Sequence, residues 1–384
     1  MYFPPKHSAT GTTIFTVMSA LAQQHDAINL SQGFPDFHID EQLSQLLFDA
    51  AQNGYNQYSP MAGLPMLRTA IATNFKKRYL IDVDPDTEIT ITPGATYAIY
   101  AAFTAVLQKG DEAIVLEPAY DSYIPNIEMN GAIAVPVALS APDFKVDWNK
   151  VREAITPKTK AIIINTPHNP TGTIWEKDDW DQLAAIVRDT KIIVLSDEVY
   201  EQLVFEGQRH YSVLEHPELR LRSFALYSFG KVFNNTGWKI GYCIAPPALT
   251  TAFRQVHQFI AFAVNTPAQY ALAQYMGNGN LAPVNILMQQ KRDLFLKLLK
   301  QTPFTIYKPA LGSYFQLAGY EQISDMPDLE FAKWLTQEYG VATIPISPFY
   351  SSKKDARLVR FCFAKKEETL ELAAKRLQKI PRLQ

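Results

Sequence analysis

Between about Glu88 and Pro246, short β-branched runs alternate with segments of helical period, and this alternation restricts the fold more than any other feature. The runs are residues 89–92, 113–116, 132–139, 161–165, 192–195, 224–228 and 240–245. Several of them, such as AIIIN and IIVL, are apolar at successive positions, as a strand covered on both faces requires. Residues 95–108 and 178–188 instead repeat apolar positions at steps of three and four, the period of an amphipathic helix. Strands alternating with helices imply an α/β fold, here a large domain with a mainly parallel seven-stranded sheet. Ligands of such sheets sit beyond the carboxyl ends of the strands. Attention therefore falls on Pro93-Gly94-Ala95, Glu117-Pro118-Ala119-Tyr120, Thr166-Pro167-His168-Asn169, Ser196-Asp197-Glu198 and Phe229-Gly230-Lys231.

The last hundred or so residues have another rhythm. Helical stretches at 291–300, 331–339 and 367–378 are interleaved with strand-like 305–307, 313–317, 342–346 and 358–363, the pattern of a smaller α+β domain. Residues 1–37 have no core of their own and are expected to pack as an arm on that second domain. The expected division is an arm over 1–37, a large α/β domain over 38–280 and a small domain over 281–384. A length of 384 residues suits two domains.

Composition excludes several classes. Apolar residues at 47% against 19% charged allow a sizeable core, so the chain is not a disordered one. Lys and Arg total 36 and Asp and Glu 38, too even a balance for nucleic acid or an anionic membrane surface as partner. The two cysteines, Cys243 and Cys362, are far apart, which argues against a disulfide framework or a thiolate zinc site and for a reducing cytoplasm. The opening MYFPPKHSAT has no apolar core of a signal peptide. The stretch 255–290 lacks Asp, Glu, Lys and Arg, but His257, Pro267 and Gly277 interrupt it, so it does not read as a membrane span. Gly277-Asn278-Gly279 with Ala282 matches a loose dinucleotide turn, yet no buried strand precedes it. Gly230-Lys231 lacks the rest of a P-loop, and no carboxylate/His spacing suits a metal.

What remains is a set of polar residues at strand ends. NTPHNPTG from Asn165 leaves a buried strand with two prolines and a glycine, a rigid turn able to fix an Asn side chain. SDEVY from Ser196 places an acid after an apolar run, where a partly desolvated carboxylate wants a cation. SFGK from Ser228 ends another strand on a lysine, with Lys239 eight residues on. Each has a structural reading too: Asp197 as a helix cap, Asn169 as a turn former, Arg360 in an ion pair, Tyr123 as a core aromatic. His168 has no evident proton-transfer partner and is left unassigned.

In order and spacing, SQGFPDF from Ser31, NQY from Asn56, NTPHNPTG, SDEVY, SFGKVFNNTGWKIGYC and VRFCFA from Val359 resemble the class I/II aminotransferases. These are pyridoxal 5′-phosphate (PLP) enzymes of fold type I. The resemblance covers nearly the whole chain and is nearest to the branch of methionine, kynurenine and glutamine aminotransferases. It implies Lys231 as the amine that joins the cofactor covalently and, once freed, moves the substrate Cα proton. That task needs a lowered pKa, which burial and a nearby cation supply. Asp197 is implied as the partner of the ring nitrogen, and Asn169 and Tyr200 as donors to the 3′ oxygen. The phosphate is expected at the helix starting after Gly94, on the backbone of Ala95 and Thr96, with Ser228 and Lys239 completing the cradle. Tyr120 is the ring-stacking aromatic. Arg360 is the expected bidentate partner of the substrate carboxylate, with Gly33 approaching closely. Lys239 stands where many members have Arg, and Gly94-Ala95-Thr96 lacks a frequent Ser.

No second arginine can be assigned to a side-chain carboxylate. The apolar candidates Phe15, Met18, Phe34, Tyr58, Tyr123, Phe259 and Phe262 suit methionine or aromatic amino acids. The expected activity is thus ping-pong amino transfer from such neutral L-amino acids to a 2-oxo acid; a cysteine-conjugate β-lyase on the same fold is the alternative. A ligand-sensing domain is disfavoured by the intact Lys231/Asp197 pair. The resemblance further implies a homodimer with shared sites. In it Tyr58 reaches the neighbour's phosphate, Phe262 lines the neighbour's pocket, and the uncharged 255–290 stretch suits the interface.

Overall fold

The computed structural model describes residues 5–8, 11–278 and 284–383. The expected boundary at 280/281, and Gly279 and Ala282 of the loose dinucleotide match, fall outside these residues. After the two-residue β1 (Ile28–Asn29) come β2 (Ile89–Thr92), β3 (Glu112–Glu117), β4 (Ile133–Ala138), β5 (Thr159–Asn165), β6 (Ile193–Asp197), β7 (Ser223–Ser228) and β8 (Gly241–Ile244). Strands β2 to β8 form one seven-stranded sheet in the order β2-β8-β7-β6-β5-β3-β4. Only β8 runs antiparallel to its neighbours; the other pairs are parallel. The α/β class and mainly parallel sheet expected from the apolar runs are therefore present.

Burial explains the run composition. In β5, Ile162 and Ile164 belong to one apolar cluster and Ala161 and Ile163 to another, because successive side chains point to opposite faces. Both faces are covered, so residues 161–164 are all apolar. The helix Ala95–Val106 lies on one face, where buried Ala98, Ala101 and Ala102 let it come close to the strands. Helices Pro65–Tyr79, Lys177–Val187 and Thr266–Gly277 contribute Phe75, Leu183 and Leu272 to the cluster of the other face. The helix Lys177–Val187 is started by a reciprocal cap between Glu176 and Asp179. At the edge, β4 is mostly exposed or half-buried and holds Pro136, whose missing N–H is tolerated there.

The C-terminal part adds β9 (Phe315–Gly319), β10 (Val341–Ala342), β11 (Ile344–Pro345) and β12 (Leu358–Cys362), with helices Val284–Leu299, Asp328–Tyr339 and Glu367–Leu377. Strands β11, β12 and β9 form an antiparallel sheet in that order. Two sequence expectations change here. Residues 305–307 form no strand but a single bridge from Thr305 to Gly319. Residues 342–346, read as one strand, divide at Thr343: β11 pairs with β12, while β10 pairs in parallel with β1 of the arm. The arm helix Ile14–Gln24, capped by Thr13, packs near Asp328–Tyr339. No described helix is long and apolar enough to cross a membrane.

Candidate active site

The carboxyl ends of β5, β6 and β7 are adjacent in the sheet, and each delivers a polar group to one cavity of about 330 Å³. Ala95, Thr96, Tyr120, Asn169, Asp197, Tyr200, Ser228, Lys231 and Lys239 line it from the sheet side. Phe15 and Gly33 of the arm and Arg360 of β12 line the opposite side. Residues up to 345 positions apart in sequence thus meet in one space, as a comparison of Phe15 and Arg360 shows.

Local hydrogen bonds fix these groups. Asn165, at the end of β5, donates its side-chain amide to the Asp197 carbonyl at 2.9 Å and accepts from the Asn169 backbone N–H at 2.8 Å. One side chain therefore ties two strand ends together. His168 bonds Thr171 at 2.7 Å, and burial pushes its imidazole down to about 4, so it is a neutral brace of the turn. Gly94 caps the helix Ala95–Val106 at φ +82°, a conformation that disfavours any side chain. A Cβ there would stand 3.4 Å from the Lys239 Nζ, which places that ammonium beside the helix start. Helix N–H groups, a lysine and the Ser228 hydroxyl together make an anion-binding end.

The acid pair at the end of β6 is asymmetric. Glu198 is buried, which opposes ionisation, but donors from His210, Val213 N–H, Ser196 and Tyr227 at 2.8–2.9 Å surround it and hold its carboxyl below the usual range. Asp197 is also buried yet, among the described residues, receives only Tyr123 Oη at 2.6 Å and Val199 N–H at 3.3 Å. Burial wins there and raises it to about 6. A carboxylate accepts about four hydrogen bonds, so Asp197 retains acceptor sites and faces the cavity.

Lys231 is part-buried and donates to the Gly33 carbonyl at 3.2 Å. Burial, helped by the Lys239 and Arg360 charges, lowers it to about 8. Arg360 is 1% exposed and lies 3.8 Å from the Phe315 ring centre. It donates to Asn169 Oδ1 at 2.7 Å and to the Ser31 carbonyl at 2.8 Å, while its Nε has no partner among the described residues. Burial lowers it to about 10. No carboxylate forms a salt bridge with it among the described residues. A buried cation without an anion is a strong demand for one. Because Asn169 accepts from Arg360 through its oxygen, its amide nitrogen is left free to donate.

Tyr58 is 83% exposed and packs edge-on against Phe262 at 5.5 Å, outside the cavity of its own chain, and the reading of both concerned a neighbouring subunit's site. Over the other apolar residues the structure departs from the sequence reading. Met18 is in the core, Phe259 is on the surface, and the Phe34 ring is covered by the Lys365 ammonium at 4.9 Å. Tyr123 is buried behind Asp197 and is no wall of the pocket. The wall instead includes Gln32, Ile99, Val199 and Phe315. Sequence reasoning missed Tyr314 as well, whose hydroxyl donates to the Gly33 carbonyl at 2.6 Å. Only the three-residue step from Tyr120 to Tyr123, at the start of helix Tyr123–Glu128, could have signalled a shared role.

Residues 25–377 match the family model described as aminotransferase class I and II. The chain belongs to that family. It is 47% identical over 375 residues to methionine aminotransferase of Escherichia coli K12, covering 96% of each. It is 36% identical over 379 residues to a probable N-succinyldiaminopimelate aminotransferase of Mycobacterium tuberculosis, covering 95% of each. The crystal structure of YbdL from Escherichia coli, described as having a methionine aminotransferase function, superposes with a TM-score of 0.96 at 46% identity, covering 99% of this chain and 100% of the other. The chain is thus a PLP-dependent aminotransferase of fold type I, acting on amino acids and 2-oxo acids. The cavity fits that cofactor: an anion-binding helix start, an acid with acceptor capacity to spare and a lysine amine share one wall.

Proposed function

We propose that this enzyme transfers the amino group of methionine and aromatic or other neutral L-amino acids to a 2-oxo acid in two ping-pong half-reactions, with Lys231 as its base. The observation that supports this reading best is the cavity holding Lys231 lowered to about 8, Asp197 with open acceptor sites and an unpaired buried Arg360. Bound PLP would supply an electron sink for the charge left when the substrate Cα loses its proton. Ala95 and Thr96 N–H groups, Ser228 and Lys239 would hold its phosphate. Asp197 would hold the proton on its ring nitrogen, Asn169 and Tyr200 would donate to its 3′ oxygen, and Tyr120 would stack on the ring.

Arg360 orients the amino acid by its carboxylate, and Gly33 allows the backbone to come near. With burial lowering its amine to about 8, Lys231 has a usable uncharged fraction just above neutral pH, takes the Cα proton and returns it. Phe15, on the arm, bounds the cavity next to Arg360 at 5.2 Å and disfavours a charged side chain. The likeness to the methionine enzyme supports methionine as donor. We assign the arm to residues 1–37, the cofactor-bearing part to 38–280 and the smaller part to 281–384.

Exposed Tyr58 and Phe262 support a homodimer in which each reaches the other subunit's site, and the unpaired buried Cys243 and Cys362 suit the reducing cytoplasm. Borohydride treatment of the holoenzyme should leave a cofactor adduct on Lys231, read by mass spectrometry, and methionine or phenylalanine should bleach the bound cofactor faster than aspartate. Full amino transfer by Lys231→Ala, or a preference for aspartate, would overturn the reading. Mixing Lys231→Ala with Tyr58→Ala subunits should regain activity if sites are shared; no gain argues against sharing.

A further inference from the structure

We propose that Tyr123 is the positioning residue of Asp197, holding its carboxylate ionised and turned toward the cofactor ring while touching neither cofactor nor substrate. This rests on the function proposed above. Tyr123 is 2% exposed at the start of the helix Tyr123–Glu128, in the segment after β3, and its hydroxyl reaches Asp197 Oδ2 across the sheet end at 2.6 Å. The second donor to Asp197, Val199 N–H, is longer at 3.3 Å and comes from the same loop as the acid. Tyr123 is therefore the one side chain that pins the carboxylate from another element among the described residues. Burial and the adjacent Asp197 charge hold the Tyr123 phenol well above its ordinary range, so it stays a donor throughout the working pH range.

The charged and titratable groups around Asp197 are Glu198 beside it, Tyr200 beyond it, Lys231 after β7, and Tyr120 with Tyr123 after β3. Glu198 is saturated by its own donors and Lys231 acts on Asp197 only through its charge. The Tyr123 ring also meets the Tyr120 ring edge-on at 5.7 Å. Tyr123→Phe keeps that support and deletes only the donor.

The test is non-covalent uptake of PLP between pH 5 and 8.5 by the cofactor-free protein carrying Lys231→Ala, which takes the amine's own titration near 8 out of the profile, followed by absorbance. With Tyr123 intact, uptake should weaken in acid with a midpoint near the Asp197 value of about 6. Without the hydroxyl the acid is harder to ionise. The midpoint should rise by about one pH unit, giving binding roughly threefold weaker at pH 6.5 and nearly equal at pH 8.5. An unmoved midpoint, or a loss equal at every pH with a lowered melting temperature, would show a merely structural tyrosine and overturn the proposal. Asp197→Asn supplies a control independent of how Tyr123→Phe folds: its uptake should lose the acid limb, and a retained limb would also overturn it. The borohydride adduct at Lys231 is read separately, so a failure here leaves the aminotransferase reading standing.

Discussion

Arg360→Lys is expected to damage the enzyme through one group of the substrate. The guanidinium is buried, lies over the Phe315 ring at 3.8 Å and spends two donors on Asn169 and the Ser31 carbonyl, leaving Nε without a partner among the described residues. A lysine retains the charge but loses the planar fork and the stacking face. Loss of one or two charge-assisted hydrogen bonds amounts to about 2–4 kcal/mol, including the Asn169 oxygen left unpaired. That corresponds to a roughly 30- to 1,000-fold fall in the second-order rate of the methionine half-reaction. The assay is single-turnover bleaching of the bound cofactor, run with methionine and with 3-(methylthio)propylamine, the same molecule without its carboxylate. Only methionine should lose rate. An equal loss for both would place the effect of Arg360 in cofactor or fold and refute the carboxylate assignment.

Three further outcomes follow from the same geometry. In the cofactor-free protein, amine-directed acylation of Lys231, read by mass spectrometry, should half-rise near pH 8, because burial favours the uncharged amine; a midpoint near that of a free lysine, about 10.4, would contradict it. Gly94→Ala should lower stability by about 1–2 kcal/mol and weaken PLP uptake, since φ +82° suits no Cβ and Lys239 is adjacent; thermal melting with and without PLP checks both. His168 is held near 4 in the fold against about 6.5 unfolded, so the unfolded chain binds the extra proton first and stability falls between pH 6.5 and 4, by about 3 kcal/mol for this group. Denaturant melts of His168→Gln across that window should show a shallower acid slope.

The sheet was legible because strands covered on both faces must be apolar at successive positions, as residues 161–164 of β5 are. Helix and strand ends were less so. Residues 342–346 look uniform in sequence, and only tertiary pairing decides that Thr343 separates a strand of the arm's sheet from a strand of the other. Strand-end polar residues such as Asp197 and Lys231 were legible from the rule that parallel sheets bind beyond their carboxyl ends. Phe315 and Tyr314 were not, because their place at the cavity depends on contacts with Gly33, some 280 residues earlier. Apolar character alone also failed to say which face a residue takes: Met18 turned inward to the core and Phe259 outward.

The division at Thr343 has a mechanical consequence. Through β10 the arm is sewn to the C-terminal part, and through β11 and β12 that same part bears Arg360, whose guanidinium in turn grips the Ser31 carbonyl. The amine of Lys231 belongs to the other half of the molecule. Carboxylate anchor and arm thus form one jaw and the lysine its opposing jaw, so any shift of the first against the second alters the bite on both ends of an amino acid together. Changes made in the arm to admit a larger side chain will be felt at the carboxylate too.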